Sequence, residues 1–158
     1  MEQRMFKSDY LLDHKVNSSM QWFLVHGLVQ LTSIVLLFAG LYYAIMKPDG
    51  WFPKHRLLML SFIGLATLGA FGALVAVEYR GKKQSTLSVV HGVIGTLLIA
   101  VLWLQLMWAV VLRKHVGKAY LGVHRILASI IVILALASVG LGLANAYAAT
   151  RQSKLEQA

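Results

Sequence analysis

Four histidines carry the chemistry this sequence can offer: His26, His55, His91 and His124 each lie inside or at the mouth of a long apolar run. A neutral imidazole keeps a lone pair on one ring nitrogen and a proton on the other, so it can ligate a first-row metal while a second group holds the ring. Ionisable side chains are rare at membrane depth, and where they occur they usually carry function. One such histidine can equally serve as a hydrogen bond between helices. Four in a repeated order point to shared chemistry.

The repeat is visible in the neighbouring residues. Val25-His26-Gly27 returns as Val90-His91-Gly92, 65 positions on, and His55-Arg56-Leu57-Leu58 returns as His124-Arg125-Ile126-Leu127, 69 positions on. An aromatic residue, Trp51 or Tyr120, stands four positions before the second histidine of each copy. The chain therefore reads as two similar two-helix units, a duplication that in membrane proteins often sets a binding site at the repeat interface. His14 and His115 fall in polar stretches and are expected in solvent, the alternative for His115 being a place beside a group held by His55 and His124.

The elements that must position these residues follow from hydropathy. Of 158 residues 58% are hydrophobic and only 13% charged, about half the charged share of a soluble domain. Apolar runs at 20–46, 57–77, 87–112 and 121–148 each reach or exceed the ~20 residues that cross a bilayer. Lys47-Pro48-Asp49-Gly50 has turn chemistry, and the other links, Arg80 to Lys83 and Arg113 to Lys118, are short and basic. Short links favour antiparallel neighbours, so the expected fold is all-α: an integral membrane, up-down four-helix bundle with both termini on one side. A polar N-terminal segment, 1–19, and a polar tail, 149–158, flank a transmembrane domain at 20–148. The first segment lacks the short apolar core and cleavage site of a secretory signal and is expected to remain on the mature protein.

Composition excludes several functions. With no cysteine, the chain forms no disulfide, thiolate zinc site, iron–sulfur cluster or c-type haem attachment. The net charge of +9 sits at the ends of the apolar runs, where it meets lipid headgroups, so nucleic acid is not an expected partner and membrane lipid is. Eight Lys and Arg lie on the side of the termini and seven on the other, so the positive-inside rule leaves orientation open.

In an up-down bundle the first and third helices are diagonal neighbours, as are the second and fourth. His26 and His91 then share one membrane face, His55 and His124 the other, giving two bis-imidazole sites suited to low-spin b-type haem iron. Gly27 and Gly92 leave room for a macrocycle, and Arg56 and Arg125 can pair with haem propionates. At ~1.5 Å rise per residue the two irons would stand roughly 20 to 25 Å apart along the membrane normal. The expected cofactors are two haem b, with His26, His91, His55 and His124 as iron ligands.

Taken together, Val-His-Gly, His-Arg-Leu-Leu, His-Gly-Val-Ile-Gly and His-Arg-Ile-Leu, one per helix over about Trp22 to Ala148, resemble the di-haem core of the cytochrome b561 superfamily. That resemblance implies transmembrane electron transfer and the pairing of His26 with His91 and His55 with His124. The six-helix members add one helix on either side of this core, and neither is seen here. Around His91 the sequence reads Val-Val-His-Gly-Val-Ile-Gly, not the Ser-Leu-His-Ser-Trp of ascorbate-using members, so ascorbate and monodehydroascorbate are not carried over.

The expected function is thus a di-haem cytochrome passing electrons between an unidentified donor and acceptor: a quinol, a small reductant or a redox protein. Two rivals stand beside it: a haem-containing membrane anchor of a larger respiratory or photosynthetic complex, and a structural subunit without cofactor. The chain could act as a homodimer or within such a complex. Gly64, Gly69, Gly72, Gly140 and Gly142 are expected to permit close helix packing. Trp22, Trp51, Tyr79, Tyr120 and Tyr147 read as interfacial anchors, Trp103 and Trp108 as packing or lipid-facing residues. Lys54, Lys82 and Lys83 are read as flanking charge rather than a site for an anionic electron donor, and Glu78 as solvated rather than a proton relay.

Overall fold

The computed structural model describes residues 2–80, 85–112 and 119–156. Within them, the side chains of 2–20, 76, 78–80, 112, 119, 153 and 156 are outside the description, so His14, Glu78 and Tyr79 are placed by backbone only. His115, Lys82, Lys83 and most of both basic links also lie outside the described residues.

The described chain is all-α: α1 (Glu2–Met46), α2 (Trp51–Arg80), α3 (Thr86–Met107) with a π-helical turn at Trp108–Leu112, and α4 (Ala119–Glu156). Four stretches are long and apolar enough to cross a membrane: Gln21–Met46, Trp51–Val75, Thr86–Val111 and Tyr120–Gln152. Large apolar side chains stand exposed along all four, among them Leu28, Val35, Leu57, Phe71, Val110 and Ile133. Water would not tolerate so extensive an apolar surface on a monomer, whereas lipid solvates it.

The helices outrun the apolar segments at several ends. α1 reaches back to Glu2 and α4 runs on to Glu156, because residues 2–19 and 149–156 contain neither glycine nor proline to break the backbone ladder. α2 starts at Trp51, six residues before the apolar run, with Pro53 in its first turn. There the missing N–H costs nothing, since the first four amides of a helix lack an intrahelical acceptor anyway. Ser85 caps α3, its hydroxyl accepting from the Ser88 amide at 3.1 Å.

Contacts gather the chain into two compact units, 1–82 and 83–158. The first is the α1–α2 hairpin, the second the α3–α4 hairpin with its π turn. In the first, Lys47-Pro48-Asp49-Gly50 makes the turn read from sequence: the Trp51 amide donates to the Pro48 carbonyl at 2.9 Å. Lys47 and Gly50 take positive φ, 46° and 65°. Gly50→Ala is expected to cost about 1 kcal/mol, read as a lower thermal midpoint in detergent.

The repeat extends into the packing. Leu37, Phe62 and Ala66 are buried in the first hairpin, and Leu102, Ile131 and Ala135, at the 65- and 69-residue offsets, are buried in the second. Even buried Ser33 has a buried counterpart, Leu98. Each hairpin closes on a narrow seam and leaves the remaining faces to other surroundings.

Candidate functional site: four tethered histidines

Every one of the four histidines is half-buried and tied through Nδ1 to the other helix of its hairpin. His26 on α1 donates to the Gly69 carbonyl of α2 at 2.7 Å. His55, one turn into α2, donates to the Gly40 carbonyl of α1 at 2.9 Å. In the second hairpin His91 on α3 donates to the Ser138 carbonyl of α4 at 3.0 Å. His124 on α4 meets the side chain of Gln105 on α3, whose Nε2 stands 2.8 Å from Nδ1.

A backbone carbonyl only accepts, so it fixes the proton of His26, His55 and His91 on Nδ1. The lone pair then falls on Nε2. A metal-ligating histidine is commonly held in this way: its second nitrogen donates to a carbonyl or carboxylate, which sets the tautomer, locks the ring and raises ligand basicity. Between transmembrane helices each such bond also contributes to association, on the order of 0.6 to 1.7 kcal/mol.

Gly69, Gly40 and Ser138 are small, and two are glycines whose lack of a side chain lets the other helix lie close. A Cβ added at Gly69 would meet Gln30 Nε2 at 2.7 Å, and one at Gly40 would meet Met59 Sδ at 2.8 Å. Gln30 in turn donates to the Ala66 carbonyl at 3.0 Å and accepts from Ser33 at 3.2 Å. In the second hairpin the snug position is Gly142, where an added Cβ would sit 3.2 Å from His91 Cε1. Of the glycines read as packing positions, Gly69, Gly72 and Gly142 do face a neighbour. Gly64 and Gly140 meet no described atom within 4 Å, because both point away from the seam of their hairpin.

The aromatic residue four positions before each second histidine lies against it. Tyr120 stacks on His124 with ring centroids 5.5 Å apart and planes 20° apart, and Trp51 tilts over His55 at 6.2 Å. One helical turn makes i and i+4 neighbours, so the spacing noted in the sequence becomes contact. Trp108, read as packing or lipid-facing, packs on the start of α4, where its Nε1 donates to the Tyr120 carbonyl at 3.3 Å. Trp103 is exposed. Lys54 sits 5.5 Å from the Tyr43 ring centre, a cation–π contact that gives this flanking charge a place.

Arg56 and Arg125 are exposed beside their histidines, within reach of an anionic group at the membrane boundary. Gly27 and Gly92 have no described atom within 4 Å of where a Cβ would lie, so the surface beside His26 and His91 is open. Among the described residues no three His, Cys, Asp or Glu side chains gather to hold a metal ion.

Three features were missed by reading residue types: the carbonyls of Gly40, Gly69 and Ser138, the role of Gln105, and the fit of Gly142 to His91. The repeat relates the groups that hold the histidines once the register is known, but not Gly142, which falls on Ala73. At an offset of 69 Gly69 falls on Ser138, and at 65 Gly40 falls on Gln105. The positions that hold the histidines are thus duplicated, a carbonyl answering a carbonyl at Gly69 and Ser138 and a side-chain amide answering a carbonyl at Gln105 and Gly40. No family model, no curated protein and no solved structure matches this chain.

Proposed function

We propose that this chain is a di-haem b-type cytochrome that carries electrons across the membrane. The observation that supports the reading best is the tethering of His26, His55 and His91: one nitrogen donates to a carbonyl, and the other keeps its lone pair. A histidine kept only to join helices has no need to present the same nitrogen each time. In this reading the two hairpins form a four-helix core in which one haem takes His26 and His91 and the other His55 and His124. The ordered motifs that resemble the cytochrome b561 superfamily favour the same pairs.

The residues present fit such a group. Gly27 and Gly92 leave the flank of the first pair open, and exposed Arg56 and Arg125 offer planar donors to carboxylates beside the second. When bound, haem supplies one-electron chemistry between ferric and ferrous iron. The protein's part is to hold each imidazole in one tautomer and one orientation, to surround it with apolar side chains, and to keep water from the span. Burial and hydrogen bonding at the ligand then set the potential.

A structural subunit without cofactor is the competing reading, and the same bonds give it a footing: each histidine also joins two helices. Reconstituted vesicles separate them. With ferricyanide sealed inside and a membrane-impermeant reductant added outside, vesicles holding the wild-type protein should reduce the trapped acceptor at least tenfold faster than empty ones. Equal rates would overturn transmembrane electron transfer.

A further inference from the structure

His124 differs from the other three histidines in what holds it, and the difference falls on a single residue. Gly40 in the first hairpin offers His55 a backbone carbonyl; at the matching place in the second hairpin stands Gln105, 5% exposed, which offers His124 a side-chain amide. The amide atom nearest His124 Nδ1, at 2.8 Å, is also 3.1 Å from the His124 carbonyl oxygen. An oxygen there would face another oxygen that only accepts. An NH2 group there donates one hydrogen to each. The atom in that position is therefore the amide nitrogen, and Gln105 Oε1 is left buried with no hydrogen-bond partner among the described residues.

An amide N–H only donates, so Nδ1 of His124 accepts and its proton resides on Nε2. We infer that Gln105 is the positioning residue that sets the tautomer of His124, opposite to the tautomer of His26, His55 and His91. The consequence for iron rests on the di-haem reading. For His124 to ligate through Nε2, the proton moves to Nδ1 and the Gln105 amide turns over so that Oε1 accepts it. That leaves two oxygens close together, a cost absent from the other three sites. The His124 site is the one whose loading requires a side chain to rearrange, and the two haem sites are unequal for that reason.

Gln30 is the natural control. It is the polar residue of the same type in the first hairpin, but its Nε2 donates to the Ala66 carbonyl and its Oε1 accepts from the Ser33 hydroxyl.

The test begins on haem-free protein labelled with 15N-imidazole, in detergent, with histidine signals assigned by single His→Ala variants. Wild type should show His26, His55 and His91 protonated on Nδ1 and His124 on Nε2. In Gln105→Leu and Gln105→Met the His124 signals should shift toward a mixture of tautomers, while Gln30→Leu leaves all four unchanged. A wild-type His124 protonated on Nδ1, or a tautomer indifferent to both Gln105 variants, would overturn the inference. Haem-loaded protein gives the second readout. Loss of the acceptor makes the ligand less basic, so in the Gln105 variants one of the two midpoint potentials should rise while the other holds. Protein that never takes up haem would defeat the di-haem reading alone, because the tautomer is measured without it.

Discussion

Replacing either His26 or His91 by alanine is expected to lower the haem content from two per chain to one, and both variants should lose the same haem. His55→Ala and His124→Ala should each lose the other. The magnitude follows from the proposed ligation: if each b haem were held by one imidazole from each hairpin, removing either histidine would leave that haem without one of its two protein ligands. His26 and His91 belong to different hairpins, so a shared spectroscopic loss would tie the two units to one cofactor. The readouts are pyridine haemochrome quantitation and the reduced-minus-oxidised spectrum of each variant. Four variants losing unrelated amounts of both haems would instead indicate a general failure to fold.

Gly142→Leu is expected to reproduce the His91→Ala phenotype without touching a ligand. An added Cβ alone would come within 3.2 Å of His91 Cε1 and 3.6 Å of Nδ1. Alanine forces the ring to give by a few tenths of an ångström, whereas leucine adds three further carbons where the imidazole lies. The ring must then leave the Ser138 carbonyl, 3.0 Å away, and overpacking of this kind typically costs about 1–3 kcal/mol. The expected result is loss of the His26–His91 haem with the other retained, and a graded effect in Gly142→Ala. Gly64→Ala, at a position with no described atom within 4 Å, should leave both haems and the thermal midpoint unchanged.

Most of the skeleton could be read from residue types. Runs of apolar residues gave the four spans to within a few residues, except at the start of α2, because a bilayer demands length and hydropathy that the sequence displays directly. The turn at Lys47–Gly50 was legible from Pro48 and Gly50, and the aromatic contacts with His55 and His124 from a spacing of four. Helix ends were less so. Polarity marks where lipid stops, while a helix stops where capping or glycine stops it, so α1 and α4 continue through residues that read as polar tails.

The candidate site was legible on one side only. The histidines announce themselves, but their partners at Gly40, Gly69 and Ser138 are main-chain oxygens, which no letter encodes. Only the hairpin register brings them opposite. Gln105 stands as one polar residue in an apolar run, and its meaning appears once it is seen to replace the Gly40 carbonyl beside His124.

Haem content of the wild-type chain separates a di-haem cytochrome from a cofactor-free subunit in one measurement. Expressed with haem available, purified in mild detergent and quantified against protein, it should hold two haems per chain, with the sharp reduced α-band of low-spin bis-histidine iron. A folded, fully helical protein that emerges colourless would rule out the di-haem cytochrome and leave four histidines whose work is to join helices.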